Sequence, residues 1–130
     1  MATWKLRDET AAGRLVDSFE LDALPETLTL RELIRLRVRG EVERFNLDGG
    51  RQFRGLVRPD DAEVELNGYR LRTARLIDWE RQADIAVAAF ERNGFFVLVG
   101  GRQIEELDEV LMLSGDQEVS FVKLMALVGG

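Results

Sequence analysis

Val119-Ser120-Phe121-Val122-Lys123-Leu124-Met125 reads as a strand, the last in the sequence, and Ala126-Leu127-Val128-Gly129-Gly130 continues from it. Working backward, Ser114-Gly115-Asp116 is a turn and Val110-Leu111-Met112-Leu113 a short strand before it. Phe95-Phe96-Val97-Leu98-Val99 is an unbroken apolar run bounded by glycines, the pattern of a buried strand. Gly100-Gly101 turns the chain, and Arg102-Gln103-Ile104 is expected to pair back on that strand.

The front of the chain supplies partners. Residues 3–9 alternate as a strand, Ala11-Ala12-Gly13 is a turn, and 15–21 reads as a second strand, together an antiparallel hairpin. Pro25-Glu26 marks the next turn, and Thr29 with Glu32 has the spacing of a capping box. Leu30, Leu33, Ile34, Val38, Val42 and Phe45 then share one helical face, which carries a helix to about Asn46. From Leu47 to Ile77 the pattern weakens to loop punctuation, with at most short strands near 53–57 and 63–66. Asp78 is placed to cap a second helix whose stripe is Trp79, Ala83, Ala86 and Phe90, and Asn93-Gly94 is its stop. The expected class is α+β: a mixed sheet with the first and last strands side by side, and a helix with one apolar face.

Composition excludes several functions. A chain of 130 residues with 45% apolar and 32% charged residues fits one globular domain. There are no cysteines and no histidines, which removes the thiol nucleophile and the commonest general base and metal ligand. The net charge of −6 argues against nucleic acid as a partner. No apolar run reaches the roughly 20 residues that span a bilayer, and Met1-Ala2-Thr3-Trp4-Lys5 does not open a signal peptide. The expected location is the cytoplasm, away from membranes. Two of the 18 basic residues are lysines, Lys5 and Lys123. A coding bias toward arginine explains that; so does a protein that modifies lysines and gains by offering few of its own.

Three stretches together resemble ubiquitin and its relatives. Leu24-Pro25-Glu26-Thr27-Leu28, leading into the long helix, is similar to the way ubiquitin's second strand turns through a proline into its helix. Val97-Leu98-Val99-Gly100-Gly101-Arg102-Gln103-Ile104 resembles ubiquitin's strand and turn in which a glycine, a basic residue, Gln and an aliphatic residue follow apolar positions. Phe121 to Gly130 resembles its last strand and Leu-x-Gly-Gly tail. The resemblance covers residues 2–46 and 95–130 and is greatest to the bacterial ubiquitin-like proteins encoded with activating-enzyme, conjugating-enzyme and JAB-type protease homologues. It implies a single β-grasp domain over 1–130, an insertion at about 47–94 carrying the second helix, and a flexible tail at 126–130.

What the resemblance implies for function is a protein modifier, not an enzyme. Gly130 is the residue activated and conjugated, with Gly129 before it, because a peptide threading a narrow channel must present no side chain beside the reacting carboxylate. ATP and Mg²⁺ serve the activating partner, and the chain itself binds no cofactor or metal. The implied partners are a ubiquitin-activating-like enzyme, a conjugating-enzyme homologue, a JAB-type metalloprotease and target proteins. Ala126, Leu127 and Val128 are the side chains a partner would grip, and Ala126 and Val128 stand where ubiquitin has arginines. Arg102 replaces ubiquitin's chain-linking lysine and cannot act as an acceptor amine at neutral pH. Two alternatives share the fold: a sulfur carrier forming a C-terminal thiocarboxylate, and a non-covalent binding module.

Leu98, with Val97 or Phe96, lies where ubiquitin carries its apolar recognition patch; on one face of the strand these residues meet partners, on the other they are core. Glu105, Glu106, Asp108 and Glu109 lack the order of a calcium loop and read as solvated. Arg31, Arg35 and Arg39, near Arg37 and Arg44, read as a solvated stripe interspersed with Glu32, Glu41 and Glu43. The second helix is expected to cover exposed sheet, to pack beside the first helix, or to serve a partner.

Overall fold

Pairing of the first described strand of the chain with the last organises the sheet. The computed structural model describes residues 1–66, 68–112 and 117–124. The chain divides into two compact units, Met1–Leu33 together with the chain from Arg92 onward, and Ile34–Glu91.

The first unit holds β1 (Ala2–Thr10), β2 (Leu15–Leu24), β3 (Thr27–Thr29), β7 (Phe95–Val99), β8 (Arg102–Ile104), β9 (Val110–Met112) and β10 (Glu118–Lys123). Five of them form a mixed sheet in the order β2-β1-β10-β7-β8. β10 runs parallel to β1, with Leu6 beside Val119 and Asp8 beside Phe121, and antiparallel to β7, with Val99 beside Val119 and Val97 beside Phe121. Period-2 alternation turns those residues to one face, where all are buried. The Phe95 and Phe121 rings tilt together there at 6.1 Å. Trp4, also buried on that face, donates its indole N–H to the Pro25 carbonyl at 2.8 Å, so its one polar atom is satisfied.

The turn between β7 and β8 has the expected two residues. Gly100 (φ 57°) and Gly101 (φ 82°) both adopt the left-handed conformation of a type I′ hairpin, which glycine takes without steric cost. β9 has a partner that the sequence did not name: it pairs antiparallel with β3, setting Leu28 opposite Leu111, both buried.

The start of α1 (Leu30–Asp48) accounts for its own unpaired donors. Thr29 Oγ1 accepts from the Glu32 N–H at 3.1 Å, and Glu32 Oε1 accepts from the Thr29 N–H at 3.3 Å. This is the expected capping box, worth about 1 kcal/mol. The Leu30 and Arg31 N–H groups donate to the carbonyls of Glu109 and Leu107 at 3.1 and 2.9 Å. Part of the acidic run therefore lies at the positive end of the helix, where carboxylates are favoured.

The second unit contains the body of α1, β4 (Gln52–Phe53), β5 (Ala62–Glu65), β6 (Gly68–Leu71) and α2 (Trp79–Glu91). The three strands form a small antiparallel sheet ordered β4-β6-β5. β6 was not expected from the sequence, and β4 ends at Phe53, short of the expected 53–57. Gly55 lies close under the Phe53 ring, where a Cβ would come within 2.3 Å of it, so this position takes only glycine without a shift. Phe53 meets Phe45 of α1 edge to face at 5.5 Å.

α2 begins as expected, with Asp78 Oδ1 accepting from the Glu80 N–H at 3.1 Å, and Asn93 (φ 60°) follows its last turn in the left-handed conformation. Within this unit α2 lies beside α1. Arg35 and Arg39 stand over Trp79 with guanidinium-to-ring distances of 5.3 and 5.1 Å, and Arg35 also reaches Asp84 at 3.4 Å. The stripe Ala83, Ala86 and Phe90 is buried, joined by Gln82, whose amide donates to the Val57 carbonyl at 2.9 Å. Among the described residues no helix is long and apolar enough to cross a membrane.

Candidate functional site

Gly130, Gly129, Val128, Leu127 and Ala126 lie outside the described residues. What the structure gives is the strand that leads to them and the sheet face around it. β10 occupies the centre of the five-stranded sheet, and Leu124, next after it, is exposed.

The parity that the apolar run left open at 96–98 is decided by pairing. Val97 lies opposite Phe121 and is buried, whereas Phe96 and Leu98 point to the other face and are half-buried. Along that face Val122 stands between Glu9 of β1 and Phe96 of β7, and Ser120 stands between Arg7 and Leu98. Phe96, Leu98 and Val122 thus form an apolar group at the middle of the sheet's second face. Sequence reasoning named Leu98 and Phe96 but not Val122, although the alternation of Val119 and Phe121 with Ser120 and Val122 sets Val122 on the opposite face.

Charged residues border this group. Arg7 bonds Glu9 at 3.2 Å and Glu118 at 3.5 Å, while its Nε is buried with no acceptor among the described residues. Lys5, one of the two lysines, sits on the same face of β1 with Glu20 and Glu118 in register on either side. Lys123, the other, ends β10 opposite Phe95. Both possible acceptor amines of side chains are therefore in strands of the central sheet.

Several residues of the remaining constellations are held in ion pairs. Asp108 pairs with Arg31 at 3.2 Å and Glu109 with Arg102 at 2.6 Å; the Glu109 carboxylate raises the Arg102 pKa above its ordinary value. Among the described residues no group of three or more acidic side chains is placed to hold a metal ion. In the second unit Asp60 accepts two bonds from Arg81, at 2.8 and 3.2 Å, which hold its carboxyl below the usual carboxylate range. The arginine stripe of α1 departs from expectation at one position. Arg37 is buried, and it bonds a largely buried Glu41.

No family model matches the chain, and neither a curated protein nor a solved structure matches it.

Proposed function

We propose that this chain is a ubiquitin-like modifier of β-grasp fold, activated at the Gly130 carboxylate and conjugated to target amines. The observation that carries the reading is the central position of β10, parallel to β1 and flanked by β7, in the order β2-β1-β10-β7-β8. A strand fixed on both sides gives whatever follows it a rigid base, and the residues beyond it can then enter an enzyme's channel without the fold opening.

The chemistry belongs to partners. A carboxylate is a poor electrophile; attack of its oxygen on the α-phosphate of ATP expels pyrophosphate and gives an acyl-adenylate. A partner thiol then displaces AMP to form a thioester, and a target amine displaces the thiol to form an amide. Gly130 and Gly129 leave the reacting carbonyl unobstructed, and Ala126, Leu127 and Val128 offer an apolar grip. The Phe96, Leu98 and Val122 group is a second surface for the activating enzyme, the conjugating enzyme or a JAB-type protease, apolar at its centre and rimmed by charge, as docking surfaces are.

Incubation with an activating-enzyme homologue, ATP and Mg²⁺ is expected to give a thiol-sensitive adduct that deletion of Gly130 abolishes. Intact mass checks that Gly130 bears the free carboxylate. A carboxylate oxygen replaced by sulfur would instead make the chain a sulfur carrier, and no adduct under either regime would leave only non-covalent binding.

A further inference from the structure

The two edges of the five-stranded sheet are unlike. β8 is three residues long, and Arg102 at its start is tied to Glu109 at 2.6 Å. The other edge, β2, is ten residues long. Among the described residues its only strand partner is β1. From Asp17 to Leu21 it keeps an unbroken register with β1, and irregularities occur only toward the two ends. An edge of this length, regular at its centre, presents main-chain donors and acceptors to a further strand.

Its side chains select what can pair there. Residues 15–24 contain Asp17, Glu20 and Asp22 and no lysine or arginine. Arg7, in register with Ser18 on β1, turns away to Glu9 and Glu118. Leu15 and Val16 at one end are about half exposed, 49% and 50%. A second copy laid antiparallel on this edge would in several registers bring Asp17 opposite Asp22 or Glu20, or Glu20 opposite itself, whereas the register centred on Phe19 sets Asp17 opposite Leu21 and Glu20 opposite Ser18. Like charges directly opposite are destabilising in a sheet, so self-pairing is disfavoured in the registers that oppose them. The same carboxylates favour a strand with bases two residues apart: Glu20 has Lys5 in register beside it on β1, and Asp22, just past the regular stretch, accepts from the Thr3 hydroxyl at 2.9 Å, which leaves both carboxylates acceptor capacity.

We infer that the outer edge of β2 binds an extended, basic segment of a partner protein as an added strand. The main-chain ladder holds the segment, Glu20 and Asp22 pair with its lysines or arginines, and Leu15 and Val16 pack against an apolar residue at one end. This stands on the edge alone and does not depend on what happens at Gly130.

The test uses a fluorescent peptide of about nine residues alternating lysine with valine, long enough to cover the regular part of the edge. Three comparisons accompany it: a peptide with glutamate in place of lysine, one N-methylated at alternate main-chain nitrogens, and the full chain carrying Glu20→Lys and Asp22→Lys. Anisotropy titration at physiological salt should give saturable binding of the lysine peptide. Each of the three changes should weaken it by about tenfold or more, as loss of a paired charge or of ladder bonds does. Amide shifts in the folded protein should concentrate at 15–24. Equal binding of the N-methylated peptide would reduce the effect to diffuse charge and overturn the inference. So would shifts elsewhere, unchanged binding to the double variant with its circular dichroism intact, or no binding of the lysine peptide.

Discussion

Removing Glu41 alone should cost more stability than removing it together with Arg37. The Arg37 side chain is 1% exposed and that of Glu41 11%, with guanidinium nitrogens 3.3 and 3.4 Å from Glu41 Oε2. Glu41 Oε1 also accepts from the Leu56 N–H at 3.3 Å. Glu41→Ala leaves a cation buried without this carboxylate, which costs about 3–5 kcal/mol, and strands the Leu56 donor for about 1 kcal/mol more. Glu41→Gln keeps an acceptor for Leu56 and loses only the charge, so about 2–3 kcal/mol is expected. Arg37→Met with Glu41→Gln removes both charges and should cost only about 1 kcal/mol, because two desolvation penalties vanish with the attraction. Urea unfolding followed by circular dichroism at 222 nm reads the helices directly, and coincidence with tryptophan fluorescence checks that one transition is observed. If the double variant loses the sum of the single losses, or if Glu41→Ala costs under about 1 kcal/mol, the pair is not acting as a desolvated unit and the reasoning fails.

Three further outcomes are expected. Val97→Ala should lose about 2 kcal/mol in chemical denaturation and Leu98→Ala clearly less, since only Val97 is fully buried; equal losses would refute the parity assigned to β7. Ala23 sits at φ 60°, where an L-residue is strained by about 1–2 kcal/mol, so Ala23→Gly should raise the melting temperature despite glycine's greater freedom when unfolded. The Asp60 pKa is lowered in the fold by Arg81, so this pair stabilises above the unfolded carboxylate value near 3.9 and ceases to as pH falls through the lower folded value. The melting-temperature gap between the native chain and Arg81→Gln should therefore be small, salt-sensitive and closed in strong acid, because both partners are exposed.

Local chemistry made the hairpins and helix ends legible. Gly100-Gly101, the Thr29–Glu32 capping box and Asp78 each solve a problem confined to four or five residues, and the structure meets each where the sequence put it. β6 was missed because it begins at Gly68, a residue that reads as a turn, and Tyr69-Arg70-Leu71 is too short and too polar to stand out by periodicity. Arg37 failed for another reason. It lies seven residues after Leu30, four after Leu33 and three after Ile34, so the helical period puts it squarely on the buried stripe. Charge argued for solvent and period for burial, and period won because Glu41, one turn on, supplies a counter-charge within reach.

Leu98 shows the limit of such reading most clearly. An unbroken run such as Phe95–Val99 carries no parity of its own: every residue is apolar, and either face can be the core. What decides it is the register with β10, a strand about twenty residues further on, where buried Val119 and Phe121 alternate with Ser120 and Val122. The candidate surface is therefore a property of the pairing and not of either strand. A one-residue slip between β7 and β10 would turn Phe95, Val97 and Val99 to the outer face in place of Phe96 and Leu98 and so change which side chains make the group. Val122→Lys tests that dependence without disturbing the core: it should leave folding intact and abolish partner docking as fully as Leu98→Asp does. If Leu98→Asp alone abolished docking, the surface would be a single side chain, and the shared register would have no part in it.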